Sequence, residues 1–496
     1  MDKHKVDKDL GRLSKFQSGL GNRETNSLGY MAFSLLFLIF VFVYAYQFQN
    51  IGDMGMFVVA AAVIGGYMAM NIGANDVANN IGPAVGSKAL TMVGALIIAA
   101  IFEAAGALLA GGEVVSTIKK GIIDPSQIGD ATIFIYVMIS ALFAAALWLN
   151  LATWIGAPVS TTHSIVGGVM GAGIAAAGMS SVNWPIMGKI AMSWVISPVM
   201  GGLIAALFLY VIKKMVLYKE DKLKAANTWV PIMVGIMAGA FGMYLTMKGL
   251  KKLIQVDALT LWGIGFGSLV GAWLISKPLV ARAASTMENR KKSVAQLFTI
   301  PLIFSAALLS FAHGANDVAN AVGPLAAVVS SVQDGGIESK VAIPIWVMMI
   351  GAVGISIGLI LYGPKLIKKV GEQITKLNQI RAFCVALAAA ITVIFASWQG
   401  LPVSSTHIAV GGVFGVGFLR EYMSNKAARE RYEAAIIAGG EIEGGNPLSA
   451  KKAAKRKLVR RTHLMNIGAA WIFTVPLAAV LSAVIFFIIK AVAGTL

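Results

Sequence analysis

The chain has 496 residues, 57% of them hydrophobic and only 13% charged, with a mean hydropathy of +0.76. Soluble domains carry roughly 25% charged residues, so a string of soluble domains is excluded and a polytopic helical membrane protein is expected. The formal charge of +18 would suit nucleic acid, but the basic residues lie in short linkers between apolar runs and no nucleic-acid module appears.

Taken in order, the chain opens with a polar, mildly basic tail and no pattern of a cleavable signal peptide. Apolar runs of bilayer-crossing length follow near 30–48, 54–82, 89–112, 131–152, 156–178, 186–212 and 229–247. Others lie near 259–281, 296–325, 342–363, 380–398, 402–419 and 465–490. The expectation is an all-α polytopic membrane protein of about 12–13 transmembrane segments. Walking thirteen crossings puts four basic linkers on the side of the N-terminal tail. They hold Lys213, Lys214, Lys219 and Lys222; Arg282, Arg290, Lys291 and Lys292; Lys365, Lys368 and Lys369; and the stretch from Arg420 to Arg461. The positive-inside rule makes that side cytoplasmic. Lys119-Lys120 and Lys248, Lys251 and Lys252 fall on the other side, against the rule. The linker from Arg420 to about Arg461 reads as a solvated helix, a glycine turn (Gly439-Gly440, Gly444-Gly445) and a basic segment. The single cysteine, Cys384, lies in an apolar run and has no internal disulfide partner.

Two motifs occur twice. Gly73-Ala74-Asn75-Asp76-Val77-Ala78-Asn79 returns 241 residues later as Gly314-Ala315-Asn316-Asp317-Val318-Ala319-Asn320. Gly156-Ala157-Pro158-Val159-Ser160-Thr161-Thr162-His163 returns 244 residues later as Gly400-Leu401-Pro402-Val403-Ser404-Ser405-Thr406-His407. By crossing number the two Asn-Asp copies run in opposite directions. The expected architecture is therefore two inverted repeats whose broken or re-entrant helices meet near the midplane, as in many secondary transporters.

The residue types suggest what meets there. Proline forbids a continuous helix and glycine permits a sharp turn, so Ser160, Thr161, Thr162, Ser404, Ser405 and Thr406 stand where helices restart. Helix starts hold oxyanions through free N–H groups and the dipole, and two of them would clasp a tetrahedral anion; hydroxyls that merely cap helices are the structural alternative. Asn75 and Asn79, like Asn316 and Asn320, share a helical face beside Asp76 and Asp317. These hard oxygen ligands suit sodium, and the acids could also accept a hydrogen bond from an anion or carry a coupling proton. Phosphate near neutral pH keeps an O–H to donate to a carboxylate, whereas sulfate has none. Glu103, in an otherwise apolar crossing, is a third acid for a coupling-ion or gating role. His163 and His407 read as structural histidines and Lys88 as a residue at the membrane edge. No phosphate-binding loop of the ATPase type, metal-ligand cluster or nucleophile–base pair appears, so neither an enzyme nor a cofactor is expected.

At these motifs the chain resembles the inorganic phosphate transporter (PiT) family, and the Gly86-Ser87-Lys88 and Phe102-Glu103 stretches look like its sodium-coupled branch. The resemblance covers the chain from about residue 54 to its end. It implies inward transport of phosphate with cations. By match of motif, Asp76, Asp317, Asn75, Asn316 and the Ser/Thr runs would line the phosphate and sodium sites, and Glu103 would be a transport-critical acid. The family's second glutamate, before the second Pro-Val-Ser motif, is replaced here by Ala386, which bears on cation number and on sodium against proton coupling.

The expected division is an N-terminal tail with an extra helix (1–53), a first repeat (54–212), a connecting region with two transmembrane helices (213–295) and a second repeat (296–496) that includes the loop 420–461. The expected function is import of inorganic phosphate by cation symport, with sodium as the coupling ion. A proton-coupled phosphate or sulfate permease is the alternative, and an anion channel a more distant one. Expected partners are phosphate, sodium or protons and the lipid bilayer, with a homodimer possible. The expected place is the cell membrane, with a cytoplasmic N-terminus.

Overall fold

The computed structural model describes residues 25–50, 54–156, 159–248, 256–334, 343–373, 377–437 and 461–493. They form α1 (Thr25–Tyr46), α2 (Gly55–Gly86), α3 (Met92–Ala110), α4 (Gly112–Lys120), α5 (Ala131–Ile155), α6 (Thr161–Ala177), α7 (Trp184–Ile212) and α8 (Lys222–Lys248). Then come α9 (Ala258–Ala284), α10 (Lys291–Leu297), α11 (Thr299–Asp334), α12 (Ile345–Gln373), α13 (Gln379–Trp398), α14 (Ser405–Ile437) and α15 (Arg461–Ala493). A π-helical turn at Lys213–Leu217 continues α7. Short polar side chains at the helix starts take up otherwise orphaned N–H groups: Thr91, Asp130, Asn183, Asp257 and Asn378 each accept from the first turn.

Eleven of the described helices are long and apolar enough to cross a membrane. They match the expected crossings except at 156–178 and 402–419. Those two segments become α6, a 17-residue helix rich in Gly, Ala and Thr, and the first part of α14, whose later turns are charged. The expectation of breaks at the Asn-Asp motifs is also corrected. Both copies lie inside continuous helices, α2 and α11, even though each helix contains a proline, Pro83 or Pro324. The breaks sit only at the Pro-Val-Ser motifs. There Gly156 (φ 75°) and Gly400 (φ 68°) end α5 and α13 in the left-handed region that disfavours a Cβ. The solvated helix expected beyond Arg420 is the continuation of α14 to Ile437; the glycine turn and basic segment lie outside the described residues. Lys248, expected in a loop, is instead buried at the end of α8.

The duplication is also visible in the packing. Helix α2 packs on α12 as α11 packs on α3, and α6 packs on α15 as α14 packs on α7. Each motif helix is thus held by the half of the chain that does not contain it. Without a hydrophobic drive between helices in lipid, small residues that allow close approach dominate such contacts. A Cβ on Gly314 would collide with the Glu103 carbonyl, and one on Gly73 with the Ile355 carbonyl. Gly106 meets Phe311 and Gly358 meets Met70 in the same way. The α8–α9 pair packs mainly on itself, and α9 leaves nearly all of its side chains outside the bundle.

These contacts separate two glycine substitutions, one at the start of the second Asn-Asp copy on α11 and one on α2 just beyond the first copy. Gly314→Ala forces backbones apart and should cost about 1–3 kcal/mol or more, read as a clear fall in melting temperature in detergent. Gly82→Ala, where a Cβ meets nothing within 4 Å, should leave it unchanged. Equal melting temperatures would contradict the close crossing of α11 and α3.

Candidate functional site

Duplicated hydroxyl residues start two helices that meet. Ser160 Oγ accepts from His163 N (3.1 Å) at the start of α6, and Ser404 Oγ accepts from His407 N (3.3 Å) at the start of α14. Thr162 Oγ1 donates to the Val403 carbonyl (3.0 Å), joining one start to the segment leading into the other. The rings of His163 and His407 lie edge to face with centroids 4.4 Å apart, and His163 packs on Trp194. Both histidines are buried at this junction.

The Asn-Asp motifs reach the same junction. Thr406 Oγ1 donates to Asp76 Oδ1 (2.9 Å) and accepts from Asn79 Nδ2 (2.9 Å). Ser405 Oγ donates to Asp317 Oδ2 (2.9 Å). Asn320 Nδ2 lies 3.3 Å from both Thr161 Oγ1 and Thr162 Oγ1. Asp76, Asp317, Asn79, Asn320 and all six hydroxyl residues are therefore within one buried assembly. Asn75 and Asn316 take a different part. Asn75 Nδ2 donates to Thr153 Oγ1 (3.1 Å) on α5, and Asn316 Oδ1 accepts from Ser397 Oγ (3.3 Å) on α13. They tie each motif to the helix before the break, although Asn316 Nδ2 also donates to Asp317 and to the Val403 carbonyl (2.8 Å).

At the centre stands His313, which the sequence analysis does not single out. Its Nε2 lies 2.7 Å from Asp317 Oδ2 and 3.6 Å from Asp76 Oδ2, and its Nδ1 lies 3.2 Å from Glu103 Oε2. These are ion-pair distances without hydrogen-bond alignment. Glu103 Oε1 accepts from Asn80 Nδ2 (2.8 Å). All four ionisable side chains are fully buried, at 0% exposure. With the acids ionised and His313 protonated, three negative charges and one positive leave −2. Such a surplus in a membrane interior is stable only with cations or protons beside it.

The donor set fits a hard cation. Asp76, Asp317 and, when its ring is neutral, His313 offer ligand atoms within 4.8 Å of one another, and the Asn80 and Asn320 carboxamide oxygens are buried with no hydrogen-bond donor. Buried acceptors without partners are costly, and a bound cation would satisfy them. The signal for His313 was present in the sequence as a histidine inside an apolar crossing, directly before the second motif. Its counterpart in the first copy, 241 residues earlier, is Ile72. Lys248 was hidden in the same way; its Nζ donates to the Ser397 carbonyl (3.2 Å). Ala386 is buried in α13, so an apolar side chain does occupy the place where the resemblance implies a glutamate.

The phosphate transporter family profile matches residues 72–482. A Helicobacter pylori protein (strain J99) named "Putative phosphate permease" is 49% identical and covers 96% of this chain and 98% of its own length. A Pyrococcus abyssi protein of the same description is 37% identical over 88% of this chain and 98% of its own. A solved structure described as "The sodium-dependent phosphate transporter" matches with a TM-score of 0.76 and 34% identity, covering 88% of this chain and 99% of that one. With its duplicated motifs meeting at two helix starts and the profile spanning most of its length, this integral membrane protein belongs to the phosphate transporter family.

Proposed function

We propose that the protein is a secondary active transporter that imports inorganic phosphate together with cations, with sodium as the coupling ion. The observation that carries this reading is the meeting of two helix starts with three buried carboxylates at one imidazole. The starts of α6 and α14, with Ser160, Thr161, Thr162, Ser404, Ser405 and Thr406, supply the anion clasp. Asp76 and Asp317, at the hydroxyls of the α14 start, accept the proton that phosphate retains and sulfate lacks. Asp76, Asp317, Glu103, Asn79 and Asn320 supply oxygen ligands for the cation, and Asn75 and Asn316 position the motif helices. Anion and cation then compensate each other's charge, so neither is stable in the site alone. That mutual dependence is a coupling free energy between two ligands.

A proton-coupled phosphate or sulfate permease is the second reading, and His313 favours it. An imidazole among three acids is suited to taking up and returning a proton within the cycle.

Two substitutions test the site. Asp76→Asn and Asp317→Asn should each lower phosphate uptake into proteoliposomes more than tenfold, about 1.4 kcal/mol or more, with the protein still inserted. Undiminished uptake by both variants would refute the assignment. Ser160→Ala combined with Thr161→Ala removes a helix cap, at a cost to stability of about 1 kcal/mol. If the α6 start holds the anion, the phosphate concentration at half-maximal uptake should also rise about tenfold. A lower melting temperature with unchanged half-saturation would reduce these residues to capping alone.

A further inference from the structure

A second charged feature lies away from the central assembly and shares no residue with it. Lys213, Lys291, Arg381 and Arg420 converge on a cavity of about 230 Å³. They come from the π-helical turn after α7, the first residue of α10, the start of α13 and the middle of α14. None of the side chains lining the cavity is acidic. Among the described residues no carboxylate pairs with Lys213, Lys291 or Arg420. Lys213 has only the soft thioether of Met423 at 3.6 Å.

Four cations in one concavity repel one another, and partial burial weakens the screening that would relieve this. The repulsion extends from Lys213 to all three other cations. Arg381 is held in place: its Nε and its backbone N both donate to Asn378 Oδ1, at 3.0 and 3.1 Å. The same bonds cap α13, whose positive dipole end therefore stands at the cavity wall. Leu209 and Ile380 give the cavity an apolar side. The cavity lies where the spans Trp184–Leu217 and Gln379–Trp398 end and begin, so it straddles the membrane boundary. Basic pockets between transmembrane helices at that depth hold phosphorylated headgroups.

We propose that this cavity is a second anion site, separate from the transport site, that takes a phosphorylated ligand bearing more than one negative charge. A singly charged anion would leave most of the repulsion in place. Two guanidinium groups also suit the paired oxygens of a phosphate ester. The ligand is either an anionic phospholipid or a soluble anion with more than one phosphoryl charge, and the apolar wall suits the lipid.

The test uses the full-length protein in phosphatidylcholine nanodiscs in a buffer free of inorganic phosphate. One arm titrates cardiolipin into the disc and follows its retention by native mass spectrometry. The other adds pyrophosphate to the solution and follows binding by calorimetry. Lys213→Gln combined with Arg420→Gln should weaken one of the two probes about tenfold or more. Asp317→Asn, in the transport site, should leave that probe's binding intact. Loss of cardiolipin identifies a lipid headgroup as the ligand; loss of pyrophosphate identifies a soluble one. Lys291→Gln, a change at an exposed position, should weaken the same probe and provides the answer if the double variant does not fold. The proposal is overturned if the substituted and unsubstituted proteins hold both probes equally, or if Asp317→Asn abolishes the same binding.

Discussion

Three carboxylates and one imidazole share a site from which water and lipid headgroups are excluded, and most features of the fold serve to keep them there. Asp76 and Asp317 arrive on α2 and α11, Glu103 on α3, and His313 one turn before Asp317. No arrangement of these four groups alone is neutral when the acids are ionised. The site needs mobile cations, and an anion is welcome only in their company. In the proposed function, coupling would follow from this charge balance.

The duplication explains how such a site is held without a dedicated scaffold. Each motif helix crosses the other half of the chain through a glycine, Gly73 at Ile355 and Gly314 at Glu103. A substitution in one half therefore disturbs the site from both sides. The two copies are not equal, however. Ile72 and Ile355 stand in the places that correspond to His313 and Glu103, so the charged contact between the halves is built once only. Both Asp76 and Asp317 turn to the first turn of α14, whereas the start of α6 receives Asn320 alone. Near-symmetric packing with one-sided charge makes the two helix starts unequal.

Much of this is legible in the sequence because lipid makes polarity expensive. Repeated Asn, Asp, Ser and Thr in apolar runs stand out, and they gather at the buried junction, with Asn316 bonded both to Asp317 there and to Ser397 beside it. Helical spacing gives Asn75 a face and not a partner; its Nδ2 donates to Thr153 on α5. His313 is not legible from the duplication, because its counterpart is Ile72. The segments 156–178 and 402–419 differ from the other expected crossings because one forms a 17-residue helix and the other opens a 33-residue helix whose later turns are charged. Pro83 and Pro324 lie within intact helices, so a proline in these apolar runs does not by itself mark a break.

The most direct test of the charge account is accumulation of radiolabelled phosphate in proteoliposomes under an imposed sodium gradient at equal pH, compared with an imposed proton gradient without sodium. Accumulation driven by sodium, with little under the proton gradient, is the expected result and places the cation among the three acids. Accumulation driven only by protons would keep the site and transfer the coupling role to His313 and its acids. Equal phosphate entry with neither gradient, and no accumulation under either, would contradict the claim that anion and cation occupy the site together.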